Sequence, residues 1–509
     1  MDDRHDTNEG LTQQPATTPR ISDTPLGRPV PPLDGDSAAV HPPANFFVRF
    51  FASHPAGFWF FFWGELAERS CYYGMRAILF LYVAKELSFG DEDAGTIVSL
   101  FIAACYLLPL IGGYLADNFF GKYWTIVGFS LPYIIGQLLL SIDSQQVLGI
   151  APRYFLFVSL GLLAMGSGVI KPNISTLMGL TYDQHRPGQT QLRSDAFSLF
   201  YMAINIGAFA SSLVVPWLRS HYGYATAFLF PAALMAVALL MFALGKPYYA
   251  REVITRTHKT PEERRQQWAV LGKLFTLFLV ITFFWMIFDQ STTTWIRFAK
   301  NDFDPHLLGY HVDPDQVQAL NPLFIVALLP VVSIGLWRLL GRMGLHMRPT
   351  DKMLIGFFLT AAGMALMAIA GFLATPEHKV SLWWQVATFL LVTLAELCIS
   401  PVGLELAFTA APSAMKGFIT GCFLLTVFFG NILNSFLTRL YGPLGPGRYF
   451  GLLTGILLVV IIAFLVIARQ FNRMNEERAA LPAGAGDKFA PSAAPSEKIA
   501  ERDQYQNPA

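Results

Sequence analysis

The run Phe60–Val83 constrains this chain most: it is apolar enough to cross a bilayer, yet it contains Glu65, Glu68, Arg69 and Arg76. Ionisable groups at membrane depth are costly and normally mark an ion or substrate pathway. At ~100° per residue, Glu65, Glu68, Arg69, Tyr72, Tyr73 and Arg76 fall within roughly 140° of one helix face. Lipid cannot satisfy such a stripe, so it must face protein or water. Two readings follow: a structural salt-bridge knot between helices, or the wall of a cavity that binds charge.

The rest of the composition agrees with a membrane setting. The 509 residues are 53% hydrophobic and only 14% charged, against about one quarter charged in an ordinary soluble domain. Mean hydropathy is +0.44. A net charge of +1 gives no bulk polybasic character and speaks against a nucleic-acid partner. Cys71, Cys105, Cys398 and Cys422 lie in apolar runs with no metal-type or disulfide spacing, and read as small packing residues. Neither a G-x-x-x-x-G-K-[ST] loop nor an H-E-x-x-H helix occurs, so nucleotide-driven and zinc-dependent chemistry has no foothold and no enzymatic activity is expected.

Residues 1–45 are rich in Pro, Asp, Thr and Gly and read as a disordered tail without the apolar core of a signal peptide. Residues 45–51 suit the membrane surface. Twelve spans are then expected, at 57–86, 94–117, 121–142, 153–181, 194–218, 223–245, 268–298, 318–340, 351–374, 381–411, 415–441 and 448–471, each with room for the ~20 apolar residues a bilayer needs. The links at 86–93 and 299–317 are acidic, the latter carrying Asp302, Asp304, Asp313 and Asp315. Those at 246–267 and 338–352 are basic, which places them and both termini in the cytoplasm. The expected division is an N-terminal six-helix bundle at 46–246, a cytoplasmic linker at 247–267, a C-terminal six-helix bundle at 268–473, and a solvated tail at 474–509. Two halves around a central site suit a transporter.

The string Glu65-x-x-Glu68-Arg69-x-x-Tyr72-Tyr73-Gly74 resembles the first-helix signature of the proton-dependent oligopeptide transporters of the major facilitator superfamily. Further strings extend the resemblance over most of residues 57–470. Gly112-Gly113-Tyr114-Leu115-Ala116-Asp117 through Lys122 resembles the superfamily's cytoplasmic loop, where Asp117 and Lys122 can latch neighbouring helices. Lys171-Pro172 lies deep in span four and matches the family's fourth-helix lysine; a buried ammonium needs a counter-charge, and Glu65 and Glu68 are the anions of the same half. Pro172 interrupts the hydrogen-bond ladder and frees a carbonyl, which suits a pocket wall. Phe200-Tyr201-Met202-Ala203-Ile204-Asn205 matches the second signature, with Tyr201 and Asn205 one turn apart; by spacing alone Asn205 is equally a helix–helix tether.

The resemblance implies an all-α integral membrane protein of the major facilitator fold that imports di- and tripeptides and peptidomimetics with protons as the coupling ion and no other cofactor. It implies a monomer in the plasma membrane. It also places Tyr106, Asn321 and, in place of a common tryptophan, Phe423 at the substrate. Where the family has an acid on span eight, this register has Ser333, and Lys273 reads as an interfacial anchor. Lys273 is roughly 24 Å along a straight helix from Asp289, so the two cannot pair.

The charges sort by half. Arg69, Arg76 and Lys171 are expected to meet a peptide carboxylate, and Glu396, Asn205 and Asn321 its amino group. Tyr73, Tyr106, Tyr201, Trp285, Ser400 and Phe423 complete the binding set, their aromatics forming soft walls for the side chains. Glu65, Glu68, Arg69, Lys171 and Glu396 are the candidates for proton coupling, since no histidine lies in the middle of a span. Asp289 and Glu405 are candidates for gating. The alternatives are a nitrate or other anion carrier of the same superfamily, for which Glu396 is out of place, and a transporter-like sensor.

Overall fold

The computed structural model describes residues 53–142, 149, 151–252, 261–332, 342–344, 347–410 and 416–479. The architecture is nearly all helical: α1 Ala56–Leu81, α2 Asp91–Leu115, α3 Gly121–Ser141, α4 Pro152–His185, α5 Thr190–Leu244, α6 Pro261–Phe288, α7 Thr294–Asp302, α8 Leu320–Pro330, α9 Pro349–Leu373, α10 Trp383–Ala410, α11 Lys416–Leu437 and α12 Tyr441–Ala479. Four two-residue strands form only local pairs, Phe303–Asp304 with Val380–Ser381 in parallel, and His306–Leu307 with Tyr310–His311 as a hairpin.

Among the described residues, seven helical stretches are long and apolar enough to cross a membrane. Three of them, Asp91–Ser141, Gln191–Leu244 and Gly421–Gln470, are 50 residues or more, over twice what one crossing needs. Each bends at a glycine with positive φ, Gly121, Gly223 and Gly445 respectively, a conformation closed to most other residues. The helix α1 is not among the seven, because it carries four ionisable side chains; it is nonetheless buried along most of its length.

Two hydrophobic cores form. One gathers buried side chains between Phe58 and Ala250, together with Ile296. The other gathers side chains between Leu274 and Ala468. In the first, α1 packs closely along α5. At Gly207 an added Cβ would come within 2.6 Å of the Leu66 carbonyl oxygen and 2.7 Å of Ser70 Oγ, so only glycine lets the two backbones approach. This contact fixes which face of α1 is left to look at the second core. The helix α4 continues through Pro172 to His185, so the proline does not end it. Asp117 and Lys122 pair at 2.9 Å, and Glu252 joins Lys122 at 3.5 Å, tying the α2–α3 corner to the chain beyond α5.

Candidate functional site

The stripe of α1 meets three different environments. Glu65, Glu68 and Arg69 are each almost fully buried. Arg69 Nε lies 3.3 Å from Glu65 Oε1 and bonds Glu68 Oε2. Both acids of its own helix thus meet one guanidinium at its Nε–H.

Lys171 therefore departs from the expected pairing. Among the described residues no carboxylate lies within 4.0 Å of its ammonium. Its nearest partner is Tyr106, whose hydroxyl accepts from Nζ at 3.3 Å and whose ring centroid is 4.3 Å away. The physical reason is that Arg69 already holds both glutamates, while an aromatic face offers a buried ammonium an alternative attraction.

Two turns beyond Arg69, Arg76 leaves its own helix for a partner. Its Nη2 donates to Asp289 Oδ1 at 2.7 Å, linking positions 213 residues apart. Asp289 opens the turn Asp289–Thr292 where α6 ends, and its second oxygen accepts from Asn431 Nδ2 of α11, also at 2.7 Å. Beside it Gln290 donates to Asn434 at 2.6 Å and accepts from Thr294 and Tyr449. Asn431, Asn434 and Gln290 were not among the expected site residues. The signal for them is present: two asparagines within an apolar stretch of α11, the type of residue that seldom goes unpartnered in a membrane.

Between the two cores lies a cavity of about 130 Å³. One side is formed by Tyr73, Arg76 and Tyr106 with Tyr201 and Asn205; the other by Trp285, Asp289, Asn321 and Glu396. Asn321 Nδ2 donates to Glu396 Oε2 at 2.9 Å and to Thr393 Oγ1 at 3.1 Å, which aims the α10 carboxylate at the void from α8. Asn205 donates one amide N–H back to the Tyr201 carbonyl at 2.9 Å, which leaves its oxygen to accept from another donor.

Eight of the twelve expected binding residues thus border one void, and Asp289 borders it too. Arg69 and Lys171 do not line it, though Lys171 touches it through Tyr106. Ser400 is half-buried one turn beyond Glu396 and outside the lining. Phe423 is buried in the second core, its ring 6.3 Å from that of Phe278, and it is not among the residues that line this cavity. Its face of α11 turns toward α6 and not toward the first core. The side chains of Glu405 and Lys273, and all of Ser333 and residues 45–51, lie outside the described residues.

A second void, of about 470 Å³, is bounded by Ser175, Gly179 and Asp183 of α4 and by Arg193 and Phe197 of α5. Residues 171, 175 and 179 follow one another at single turns, as do 197, 201 and 205. The void therefore lies along the side of α5 that also carries Tyr201 and Asn205 to the cavity.

Comparison with other proteins decides the lineage. The sequence profile of the POT family, PTR2, matches residues 123–258 and 251–443. The chain belongs to the POT family. It is 33% identical over 355 residues to "Peptide transporter family 1" of Drosophila melanogaster, covering 62% of this chain and 47% of that protein. It is 32% identical over 370 residues to "Solute carrier family 15 member 1" of Rattus norvegicus, covering 62% and 52%. The chain spans about half the length of the curated relatives it matches. Among solved structures it resembles a peptide transporter POT in complex with alafosfalin, with a TM-score of 0.74 at 28% identity over 83% of this chain and 96% of that one. It also resembles the POT family transporter PepTSo, with a TM-score of 0.71 at 27% identity over 82% and 99%. This POT-family chain is thus an integral, multi-pass membrane protein of largely helical build.

Proposed function

We propose that the protein is a proton-coupled symporter that imports di- and tripeptides and peptide-like compounds by alternating access. The observation that carries this reading is the single void with Arg76 on one wall and Glu396 on the other. A short zwitterion presents one anionic and one cationic end. Its carboxylate goes to the Arg76 side, where Arg69 and Lys171 add positive field, and its ammonium goes to Glu396, Asn321 and the Asn205 oxygen. Trp285 and the tyrosines accept the variable side chains. A similar solved structure supports the substrate class: a mutant of a peptide transporter POT, 28% identical to this chain, is seen in complex with alafosfalin.

The cavity is smaller than the ~300–1,000 Å³ usual for ligand pockets. Entry of a peptide therefore requires the two cores to separate on one side, and separating them strains the Arg76–Asp289 bridge. A carboxylate arriving at Arg76 replaces Asp289 as its partner, which couples binding to movement.

Glu65 and Glu68 exchange the coupling proton. When one of them is protonated, Arg69 loses part of its counter-charge and its field falls more strongly on the substrate carboxylate, alongside that of Lys171. The arrangement proposed for the whole chain is twelve spans in two six-helix bundles, 46–246 and 268–473, joined by the cytoplasmic linker 247–267. Both termini face the cytoplasm, and the protein acts as a monomer in the plasma membrane. The basic links at 246–267 and 338–352 set against the acidic ones support the orientation.

The test is counterflow of labelled dialanine into liposomes holding the purified protein, with and without an inward proton gradient. Uptake that the gradient accelerates is expected. Uptake that excess nitrate abolishes and excess dipeptide does not would replace the peptide by an anion.

A further inference from the structure

Away from the central cavity, the acidic links meet basic side chains at one rim of the molecule. There Arg219, near the kink of α5, reaches the connector that precedes α8. Its Nη2 donates to Asp315 Oδ1 at 3.0 Å, its Nε lies 2.9 Å from Asp315 Oδ2, and the guanidinium is 3.4 Å from Asp313 Oδ1. Ser220 donates to the other oxygen of Asp313. Gln316 accepts from the Asp313 backbone N–H and donates to the Leu213 carbonyl at 3.2 Å. Asp315 is fully buried by this contact, whereas Asp313 and Arg219 keep some access to water.

The charges at this contact do not balance. Two carboxylates share one guanidinium. The other groups near Asp315 are Lys85, an exposed ammonium that also faces Arg219, Lys300 and Asp91, and Tyr224, which faces Glu86 and whose ring lies 6.0 Å from the Arg219 guanidinium. His311 is exposed, with Nε2 4.0 Å from Asp313 Oδ1. Two carboxylates forced together over a single cation favour retention of one proton.

We propose that Asp315 is a proton-binding site of the rim, distinct from the glutamates of α1, and that the two parts of the molecule close there with uptake of one proton. Burial raises the Asp315 carboxyl from its ordinary 3.8 to about 6, against the opposing pull of Arg219. The sign follows from linkage. A group that holds its proton more tightly in the closed contact than in water stabilises closure as pH falls through about 6, and that stabilisation is lost as pH rises. An acidic medium on this face therefore shuts it. The proposal rests on the alternating-access reading only in requiring that this contact opens and closes.

The experiment needs neither substrate nor gradient, so its outcome is separable from that of the transport assay. All four natural cysteines are buried, so spin labels placed at Ser88→Cys, in the link after α1, and Tyr310→Cys, in the connector before α8, both exposed, report selectively on the distance between these two segments. In the otherwise unaltered chain, the ratio of short to long distances should rise about tenfold between pH 7.5 and 5, given an exposed aspartate near 3.9. With Asp315→Asn the ratio should be high and flat across that range. If Asp315→Asn fails to fold, Asp313→Asn leaves one acid for one guanidinium and should move the transition below pH 5. His311→Gln should leave the midpoint in place. An unchanged titration in Asp315→Asn or Asp313→Asn overturns the proposal, as does its loss in His311→Gln alone, which would put the proton on the imidazole.

Discussion

Arg69 and Arg76 stand two turns apart on one helix, and their partners teach different things. Arg69 is held by Glu65 and Glu68 of the same helix, so rigid movement of α1 against the rest of the protein leaves that cluster intact. Arg76 is held by Asp289 and, through it, by Asn431, so any separation of the two cores must lengthen that bridge. The first cluster is suited to hold a proton through a cycle of movement. The second is suited to sense whether the parts are together. A helix that simply needed buried charge neutralised would have no reason to use two such different solutions.

The cross-core pair offers the largest break in the comparison. Asp289→Asn leaves the Arg76 guanidinium buried without its anion, and a stability loss on the order of 3 kcal/mol is expected in chemical or thermal unfolding. Arg76→Met combined with Asp289→Asn should recover most of that loss while failing to bind peptide. Equal destabilisation by the single and double variants would mean that Asp289 is held mainly by Asn431.

The aromatic residues sharpen the same contrast between void and core. Trp285→Ala should raise KM for a dipeptide about tenfold by removing a wall of the cavity. Phe423→Ala should leave KM unchanged and instead lower stability by about 3 kcal/mol, as a buried truncation does. A raised KM in Phe423→Ala with unaltered stability would return that ring to the substrate.

The smallest effect is expected at the rim, where Arg439 and Asp93 pair at 3.3 Å with more than half of each side chain exposed. Arg439→Gln should change stability by less than about 1 kcal/mol, in contrast to Asp315, which the same rim buries completely.

Much of the site could be read from sequence because a charge inside an apolar run is conspicuous. Glu65, Glu68, Arg69, Arg76, Lys171 and Glu396 all stand out in that way, and helical spacing puts the first four on one face. Pairing was harder to read. Nothing local says that Arg69 takes both glutamates and leaves Lys171 to the ring of Tyr106. Nor does sequence bring Arg76 to an aspartate 213 residues away. Phe423 was placed by analogy with a tryptophan, whereas its burial follows from the way α11 faces α6. Asp313 and Asp315 looked alike as loop acids, and only the fold separates the one that meets water from the one that does not.

The central claim is that the acids of α1 carry the proton that enters with the peptide. It is tested most directly by recording lumen pH, with a trapped dye, when dialanine is added outside liposomes containing the protein. The account predicts acidification in step with dialanine entry. In Glu68→Gln it predicts dialanine exchange without acidification. Dialanine entry with no change in lumen pH, or an undiminished proton signal in Glu68→Gln, would contradict it.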